Sequence, residues 1–398
     1  MKPAARALGI VLACVALSLL GACATALREA APAASGLFDD SRFVRPVAAG
    51  IERDPLEMSE AMRAYAASAV LPQARSKGLQ RALIDALYRN QQLRLSYDAS
   101  VTRDAREAFD ARSGNCLSLV LMTAAFARHL GLEVQFNSIT EVPVWSRAPG
   151  LVMASQHVNI GLGRRVSDAP GAMQGQWLLV DFLPPEDALG LRGTAVDESA
   201  VIAMYRNNRA VEALAGGRLD EAYWWSCAAL DRDPGFLAAA NTLGVVYRRA
   251  GADAAAERAF RHVLDREPDN AQALGNLESQ LRSLGRTGEA DALAMMLRGI
   301  EPVAPYHHFN LGMTALLEGR PAEAKRLFAA ELRRSAFHHE FHFWLAVAHL
   351  QLGELKPARR HFEIALDRSP TAESRALARH KLDVLAERAA AGPPVVVR

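Results

Sequence analysis

The sequence predicts an α+β domain followed by an all-α array of repeats. In the C-terminal half, residue types recur every 34 positions, which is typical of stacked helix pairs. Between about 53 and 200, helical patterns come first and short apolar or alternating runs follow, which indicates helices packed with a sheet. Half of the 398 residues are hydrophobic and 23% are charged, so both regions can bury a core.

The N-terminus has the features of an export signal. A short positive region with Lys2 and Arg6 precedes the apolar run ALGIVLACVALSLLGAC. This run is shorter than a comfortable membrane span, so we predict a secretory signal over 1–22. The stretch LGAC (20–23) resembles the lipobox of bacterial lipoproteins, which implies that Cys23 is acylated and becomes the new N-terminus. Cleavage after Ala24 is the alternative, because residues 22–24 also fit a small-x-small site.

The residues after Cys23 bear on the location of the protein. In lipoproteins of this kind a residue other than Asp after the cysteine is associated with outer-membrane sorting, and Ala24 fits this pattern. The resemblance therefore implies a lipid anchor in the outer membrane, with the protein on the periplasmic face. Residues 23–52 are rich in Ala, Pro and Gly, which predicts a tether. A helix packed on the next domain is the alternative.

Charge and cysteine content narrow the class of protein. The formal net charge of +2 falls to zero without segment 1–22, and no basic run remains, which argues against nucleic acid as the main partner. If Cys14 leaves with the signal and Cys23 carries lipid, Cys116 and Cys227 remain. Two cysteines do not make a disulfide scaffold, although a disulfide between them is compatible with an oxidising periplasm.

The 34-residue period is held by three kinds of residue. Glycines, alanines and prolines recur in phase at Gly217, Gly251, Gly285, Gly319 and Gly353, at Ala222, Ala256, Ala290, Ala324 and Ala358, and at Pro234, Pro268, Pro302 and Pro370. The stretch 241–268 resembles the tetratricopeptide repeat, with Leu243, Gly244, Tyr247, Ala256, Phe260 and Pro268 at its signature places. The resemblance implies five repeats over 203–372 and a capping helix and tail over 373–398.

That resemblance also implies a concave face lined by the first helix of each unit. Carried over position by position, this face holds polar and basic residues toward one end and apolar ones toward the other, namely Asn241, Arg248, Arg249, Arg282, Tyr306, Phe309, Met313 and Phe343. Such a face fits an extended peptide or protein partner with an acidic portion and apolar anchors. The alternative is that several of the aromatic residues face the capping helix or the other domain.

A group of histidines in the repeats raises the question of a metal site. These histidines are His307, His308, His338, His339 and His342. No carboxylate or cysteine joins them at a regular ligand spacing, so we interpret them as packed or surface residues. No metal site is predicted.

Cys116 begins a predicted helix in the α+β domain. Ser113, Gly114 and Asn115 supply cap residues, and a broad apolar face follows before Gly131 ends the helix. In the first turn of a helix, unpaired backbone N–H groups and the helix dipole favour the anionic thiolate. Cys116 is therefore a candidate nucleophile rather than a packing residue.

A thiolate nucleophile requires a base and a group that orients the base. His157 opens the strand QHVNIGLG, in which alternation places His157 and Asn159 on the face opposite Val158. Asp181 lies in the apolar strand QWLLVDF, where a carboxylate is costly unless it is paired. A neighbouring imidazole is a natural partner for it.

The order Cys, His, Asp resembles the transglutaminase-like superfamily of papain-type folds. The shared marks are Gly-x-Cys at a helix start, a His that leads a strand, and the strand from Trp177 to Asp181. The resemblance implies a nucleophile at Cys116, a general base and acid at His157 and an orienting carboxylate at Asp181. The sequence HVNI departs from the usual His-x-Trp, which affects the substrate groove. Beside the Cys116 N–H, the second oxyanion donor is open among Gln91, Gln92 and Tyr97.

Together these features predict a periplasm-facing lipoprotein with two functional regions. A transglutaminase-like cysteine peptidase or amidase, acting without metal or organic cofactor, would cleave a protein substrate that the repeats recruit. The alternative is a noncatalytic scaffold or assembly lipoprotein that binds protein partners through the repeat groove. A third reading is an amidase directed at peptidoglycan.

Overall fold

The computed structural model describes residues 34–47, 50–89, 93, 95–98, 101–148, 151–165, 177–182, 193–301, 303–335, 338–369 and 371–390. The predicted signal 1–22, Cys23, Gln91 and Gln92 lie outside these residues. Within the described ranges, no helix combines the length and the apolar character that crossing a membrane requires.

Residues 34–43 of the predicted tether are packed against the repeats. Two 3₁₀ turns, Ala34–Leu37 and Asp40–Arg42, lie against the repeats. The Phe43 ring stacks on Tyr223 with 4.1 Å between ring centroids. The Tyr247 hydroxyl donates to the Leu37 carbonyl at 2.7 Å. Aromatic burial and these hydrogen bonds offset the entropy that a free tether would keep, so residues 34–43 belong to the folded body.

The α+β region begins with helices. Two continuous helical stretches contain π-helical turns at Ala66–Val70 and Asp85–Arg89. The α-helical parts are α1 (Glu60–Tyr65), α2 (Leu71–Lys77) and α3 (Leu79–Ile84), followed by α4 (Ala105–Ala111) and α5 (Cys116–His129). Residues 117–127 of α5 are buried throughout, so this helix is the centre of the domain core.

The described residues of this region also include six strands. They are β1 (Ser96–Tyr97), β2 (Ser113–Gly114), β3 (Leu132–Ala148), β4 (Leu151–Arg165), β5 (Leu178–Val180) and β6 (Thr194–Val196). β1 and β2 form a short parallel pair, and the other four form an antiparallel sheet in the order β5-β4-β3-β6. Val158, Ile160 and Leu162 of β4 lie in the same buried core as α5, as the predicted alternation requires.

The C-terminal part is all-helical, as the period predicts. Its described residues form five helix pairs and a final helix: α6 (Glu198–Ala215), α7 (Leu219–Arg232), α8 (Leu237–Arg249), α9 (Asp253–Leu264), α10 (Ala271–Ser283), α11 (Thr287–Ile300), α12 (His307–Leu317), α13 (Pro321–Arg334), α14 (His339–Gln351), α15 (Leu355–Arg368) and α16 (Ala372–Ala390). The recurring glycines explain the turn inside each pair. From Gly217 to Gly353 they have φ between 71° and 75°, a conformation that other residues adopt at a cost.

A second glycine position explains how the two helices of a pair approach each other. A Cβ atom on Gly244 of α8 would lie 2.5 Å from the Phe260 ring of α9, and one on Gly312 of α12 would lie 2.7 Å from Phe328 of α13. The large aromatic side chain therefore fits only against a residue without a side chain.

Packing between neighbouring helix pairs is weaker at the junction of α11 and α12, which we call the α11–α12 seam. The same repeat position is buried at Leu243, Leu277 and Leu345, with 0%, 0% and 4% exposure, but 46% of Leu311 is exposed. The buried cores on the two sides of the α11–α12 junction are separate. Unit 3 carries Ala294 where units 2 and 4 carry Phe260 and Phe328, so the aromatic side chain that fills this position in those units is missing from α11.

Candidate functional site

Cys116 is the first residue of α5, and its neighbours shape the helix start. The Asn115 side chain accepts a hydrogen bond from the Ser118 N–H at 2.9 Å, which caps the helix. A Cβ atom on Gly114 would lie 2.6 Å from Cβ of Ser118, so only glycine fits before Asn115. The Cys116 side chain is half-buried and forms no disulfide.

The first repeat helix supports this helix start. The Glu212 carboxylate of α6 accepts from the Thr102 N–H at 2.6 Å, and the Thr102 hydroxyl accepts from Nδ2 of Asn115 at 2.8 Å. A hydrogen-bonded path thus runs from the repeat array to the residue next to Cys116. Burial raises the pKa of Glu212, and the hydrogen bonds to Thr102 oppose that rise.

The structure brings Cys116, His157 and Asp181 together. Nε2 of His157 lies 2.7 Å from Oδ1 of Asp181, and the His157 side chain also hydrogen-bonds the Cys116 thiol. Because Nε2 faces Asp181, the other ring nitrogen, Nδ1, is left for the thiol. His157 lies in β4 and Asp181 directly follows β5, so the pairing of these strands sets the distance between them.

The electrostatics favour a charged imidazole. Burial lowers the pKa of His157, but hydrogen bonds and charge attraction from Asp181 and Cys116 outweigh it and raise the pKa from its usual 6.5 to about 9. At pH 7 His157 therefore carries a proton that it can donate, and it lies between two groups that form anions. Such a perturbed group is typical of a functional site.

Asn159 is a site residue that the sequence reasoning did not identify. Its Nδ2 donates to Oδ2 of Asp181 at 2.9 Å, and its Oδ1 accepts from Nδ2 of Asn137 at 2.9 Å. Alternation already placed Asn159 on the His157 face of β4. A second polar residue on that face, two positions from the histidine, was the signal that could have found it.

Tyr97 is the described candidate among the second oxyanion donors. Its phenol oxygen accepts a hydrogen bond from the Cys116 backbone N–H. Desolvation and the neighbouring Cys116 side chain raise the pKa of Tyr97, and they outweigh this hydrogen bond, which lowers the pKa. The Tyr97 carbonyl accepts from Arg375 of α16 at 3.3 Å. The last helix therefore reaches the strand that flanks the site.

The second cysteine of the folded body has different surroundings. Cys227 of α7 is buried and free, and burial raises its thiol pKa to about 12. The two described cysteines are not joined by a disulfide.

The structure corrects the predicted groove at its apolar end. Tyr306, Phe309 and Phe343 are buried in the helix cores, because they pack on aromatic rings of neighbouring helices. They are not available to a partner. Met313 of α12 is half-buried and packs against the core that contains Tyr306 and Phe309.

At the polar end of the predicted groove, the side chains form hydrogen bonds and ion pairs with neighbouring residues of the repeats. Asn241 accepts from Asn276 at 3.0 Å, and Arg248 donates to the Asn276 carbonyl at 3.3 Å. Two further arginines have partners of their own: Arg249 donates to the carbonyl of Leu214, and Arg282 pairs with Glu278 and Asp291. Asn241 and Arg248 stay half-buried, so they retain surface that a partner can reach.

The repeat histidines pack with one another. Nδ1 of His342 lies 3.0 Å from Nδ1 of His361, and the His338 ring stacks on Phe341. Among the residues that the structure describes, no group of three or more His, Cys, Asp or Glu side chains has a geometry that could hold a metal ion.

Comparison with known proteins identifies part of the repeat array. Residues 309–373 match the tetratricopeptide repeat family. Similar solved structures include the pilF protein of Pseudomonas aeruginosa, 22% identical over 48% of this chain and 88% of that chain, with a TM-score of 0.28. A thermophilic repeat protein of Thermus thermophilus is 19% identical over 46% and 99% of the two chains, also with a TM-score of 0.28.

A third similar structure is YrrB, described as a tetratricopeptide protein with an unusual peptide-binding site. It is 21% identical over 45% of this chain and 92% of its own, with a TM-score of 0.24. No curated protein sequence matches the chain. The family match and the 34-residue period of the helix pairs agree with each other. The C-terminal part of this chain is a solenoid of tetratricopeptide repeats.

Proposed function

We propose that the protein is a periplasm-facing lipoprotein with a transglutaminase-like cysteine peptidase or amidase domain, whose substrate is recruited by the repeats. The observation that carries the proposal is the contact of His157 with both Asp181, at 2.7 Å, and the Cys116 thiol at a helix start. A nucleophile, a base and a group that orients the base are the elements of acyl-transfer catalysis by cysteine enzymes.

The geometry supports a two-step mechanism. The Cys116 thiolate attacks the carbonyl carbon of a peptide or amide, and the Cys116 N–H exchanges its hydrogen bond to the Tyr97 phenol for one to the oxyanion of the tetrahedral intermediate. His157, protonated at pH 7, gives its proton to the leaving amine as the C–N bond breaks, which leaves a thioester on Cys116. Neutral His157 then takes a proton from water, the hydroxide attacks the thioester, and the released thiolate again pairs with protonated His157.

The repeats supply the second part of the proposal. Tetratricopeptide solenoids bind proteins or peptides in their concave face. In this chain Asn241, Asn276 and Arg248 link the first helices of units 2 and 3, so a bound segment would lie against them. The path from Glu212 through Thr102 connects the first unit to the Asn115 cap beside Cys116.

Hydrolysis of the thioester is favoured over crosslinking to an amine because water is the abundant acceptor.

The anchor is the third part of the proposal. The LGAC stretch supports acylation at Cys23, and Ala24 supports the outer membrane over the inner membrane. Mass spectrometry of the N-terminal fragment tests this directly. The mass of a lipidated Cys23 is expected, and a free thiol or cleavage after Ala24 would contradict it.

A noncatalytic scaffold is the second candidate, and the repeat family favours it, because such repeats act by binding partners. In this reading Cys116→Ala leaves function intact, whereas Arg248→Ala weakens partner binding.

Turnover separates the two candidates. Full-length protein in detergent is assayed on fluorescent casein and on purified muropeptides, with Cys116→Ala and Cys116→Ser alongside. Enzyme action predicts cleavage of casein that both substitutions abolish while circular dichroism is unchanged. Cleavage of muropeptides alone would assign the amidase to peptidoglycan. Equal behaviour of the three proteins on both substrates would favour the scaffold.

A further inference from the structure

We propose that Asn159 and Asn137 are positioning residues that hold the Asp181 carboxylate toward His157. The inference rests on the proposed acyl-transfer function and adds to the triad a row of side-chain amides across the sheet. The row runs from Gln135 through Asn137 and Asn159 to Asp181. The three amide side chains act through Asp181, and none of these three hydrogen bonds involves the Cys116 thiol.

Three hydrogen bonds of equal length make the row. Nε2 of Gln135 donates to Oδ1 of Asn137, Nδ2 of Asn137 donates to Oδ1 of Asn159, and Nδ2 of Asn159 donates to Oδ2 of Asp181, each at 2.9 Å. The strand register explains the alignment, because Asn137 of β3 lies directly opposite Asn159 of β4. Asn137 and Asn159 are buried, and Gln135 is the exposed end.

The carboxylate sets the direction of the whole row. An ionised carboxylate only accepts hydrogen bonds, so the NH₂ group of Asn159 must face Asp181. The oxygen of Asn159 then faces Asn137, whose NH₂ group must turn toward it, and the same requirement reaches Gln135. Every amide dipole thus points its positive end toward Asp181, and neighbouring hydrogen bonds in such a chain strengthen one another.

This arrangement divides the two oxygens of Asp181 between two functions. Oδ2 accepts from Asn159, and Oδ1 accepts from His157. With Oδ2 held, rotation of the carboxylate is restricted and Oδ1 stays in line with Nε2 of His157. The imidazole is thereby fixed with its other nitrogen toward Cys116. Asn159 stands where the His-x-Trp pattern has tryptophan, so this chain uses that position for a polar contact.

The matched variants are Asn159→Ala, Asn137→Ala and Ser138→Ala in the full-length protein. Ser138 is buried on β3 next to Asn137, pairs with Val158 in the register, and is not part of the amide row. Its substitution reports on general loosening of the sheet. Two readouts are used: the rate of Cys116 alkylation by iodoacetamide at pH 6, and the downfield proton resonance of the His157 Nε2–H that faces Asp181.

We expect Asn159→Ala to lower the alkylation rate at least about 10-fold and to broaden or shift the His157 resonance, because the orienting carboxylate is released. We expect a smaller change of about 3-fold in Asn137→Ala, because one amide still holds Asp181. Ser138→Ala should keep both signals. Asn159→Gln, which retains an NH₂ group, should recover part of the rate.

Two results would overturn the inference. If Cys116 of the unsubstituted protein does not react at pH 6, the proposed function and the positioning role fail together. If the unsubstituted protein reacts and Asn159→Ala keeps both the rate and the resonance, or if Ser138→Ala loses as much as Asn159→Ala, the positioning role fails while the proposed function stands.

Discussion

The two cysteines of the folded body show how surroundings decide what one residue type does. Cys116 lies half-buried at the start of α5, with His157 against its thiol. Cys227 lies in the core of the first repeat unit, where burial raises its pKa to about 12. The thiol of Cys227 is kept neutral, whereas that of Cys116 faces a histidine that is protonated at pH 7. The difference comes from the surroundings of each thiol, which are a helix start and a histidine for Cys116 and a buried core for Cys227.

The largest expected effect is the difference in reactivity between these thiols. At pH 6 only about one Cys227 thiol in 10⁶ is ionised, because its pKa is about 12. We expect iodoacetamide to label Cys116 at least about 10³-fold faster than Cys227, measured by peptide mass spectrometry. Comparable labelling of the two cysteines in folded protein would show that their thiols do not differ in reactivity.

A pair of leucines extends the comparison to stability. Leu277 is fully buried and Leu311 is 46% exposed, although both occupy the same repeat position. Leu277→Ala should lower the free energy of unfolding by about 3 kcal/mol, because it leaves a cavity. Leu311→Ala should cost less than about 1 kcal/mol. Chemical denaturation measures both, and equal losses would show that the α11–α12 seam is packed in solution.

A third prediction concerns pH, because His157 has a pKa of about 9 in the folded protein and an ordinary value near 6.5 when unfolded. Its contribution to stability is fully present below pH 6.5 and is lost as pH rises to 9. The stability difference between the unsubstituted protein and His157→Gln should therefore shrink by up to about 3 kcal/mol over that interval. Urea titrations at pH 6, 7.5 and 9 test this, and a pH-independent difference would argue against a charged His157.

The smallest effect tests the link from the repeats to Cys116. Glu212→Ala removes the acceptor of the Thr102 N–H and should cost about 1 kcal/mol, with a few-fold slower labelling of Cys116. Glu212→Gln keeps an acceptor oxygen and should change both quantities less. Cys227 should stay unreactive in both variants. If neither substitution changes the stability or the labelling rate, the carboxylate does not support the helix start.

Repetition made the C-terminal part predictable. One period fixes the turn glycines and the close contact of Gly244 with Phe260, and it recurs in unit 4 as Gly312 with Phe328. The weak packing at the α11–α12 seam was not predicted, because it depends on how these two helices approach each other. A single Ala294 in an aromatic position did not reveal this. The groove position of Phe309 and Phe343 was wrong, because both turn into neighbouring helices. Phe343 shares a core with Ala378 and Leu385 of the last helix, which agrees with the alternative that the aromatic residues face the capping helix.

The candidate site could be predicted in part from the chemical character of its residues. Cys116, His157 and Asp181 stood out because each is unusual in its local pattern, and the structure brings them together. The hydrogen bonds of Asn159 and Asn137 escaped prediction because they depend on the register of β3 and β4, which one sequence does not specify.

For segment 34–43 the sequence favoured a tether, because its composition is that of a linker, and kept a helix packed on the next domain as the alternative. In the structure this segment has 3₁₀ turns packed on the repeats. Its stability depends on Tyr223 and Tyr247, about 180 residues or more further along the chain. Local sequence carries no signal for such a contact.

The most direct test of the account is the rate of Cys116 alkylation from pH 5 to pH 10 in full-length protein and in His157→Ala, with Cys227 as the internal reference. A thiolate paired with protonated His157 predicts a high rate already at pH 6, which His157→Ala lowers at least about 100-fold. In that variant the rate should rise only toward alkaline pH, as for an ordinary thiol. The same pH profile in both proteins, or an inert Cys116, would contradict the nucleophile and leave the repeats as the functional part.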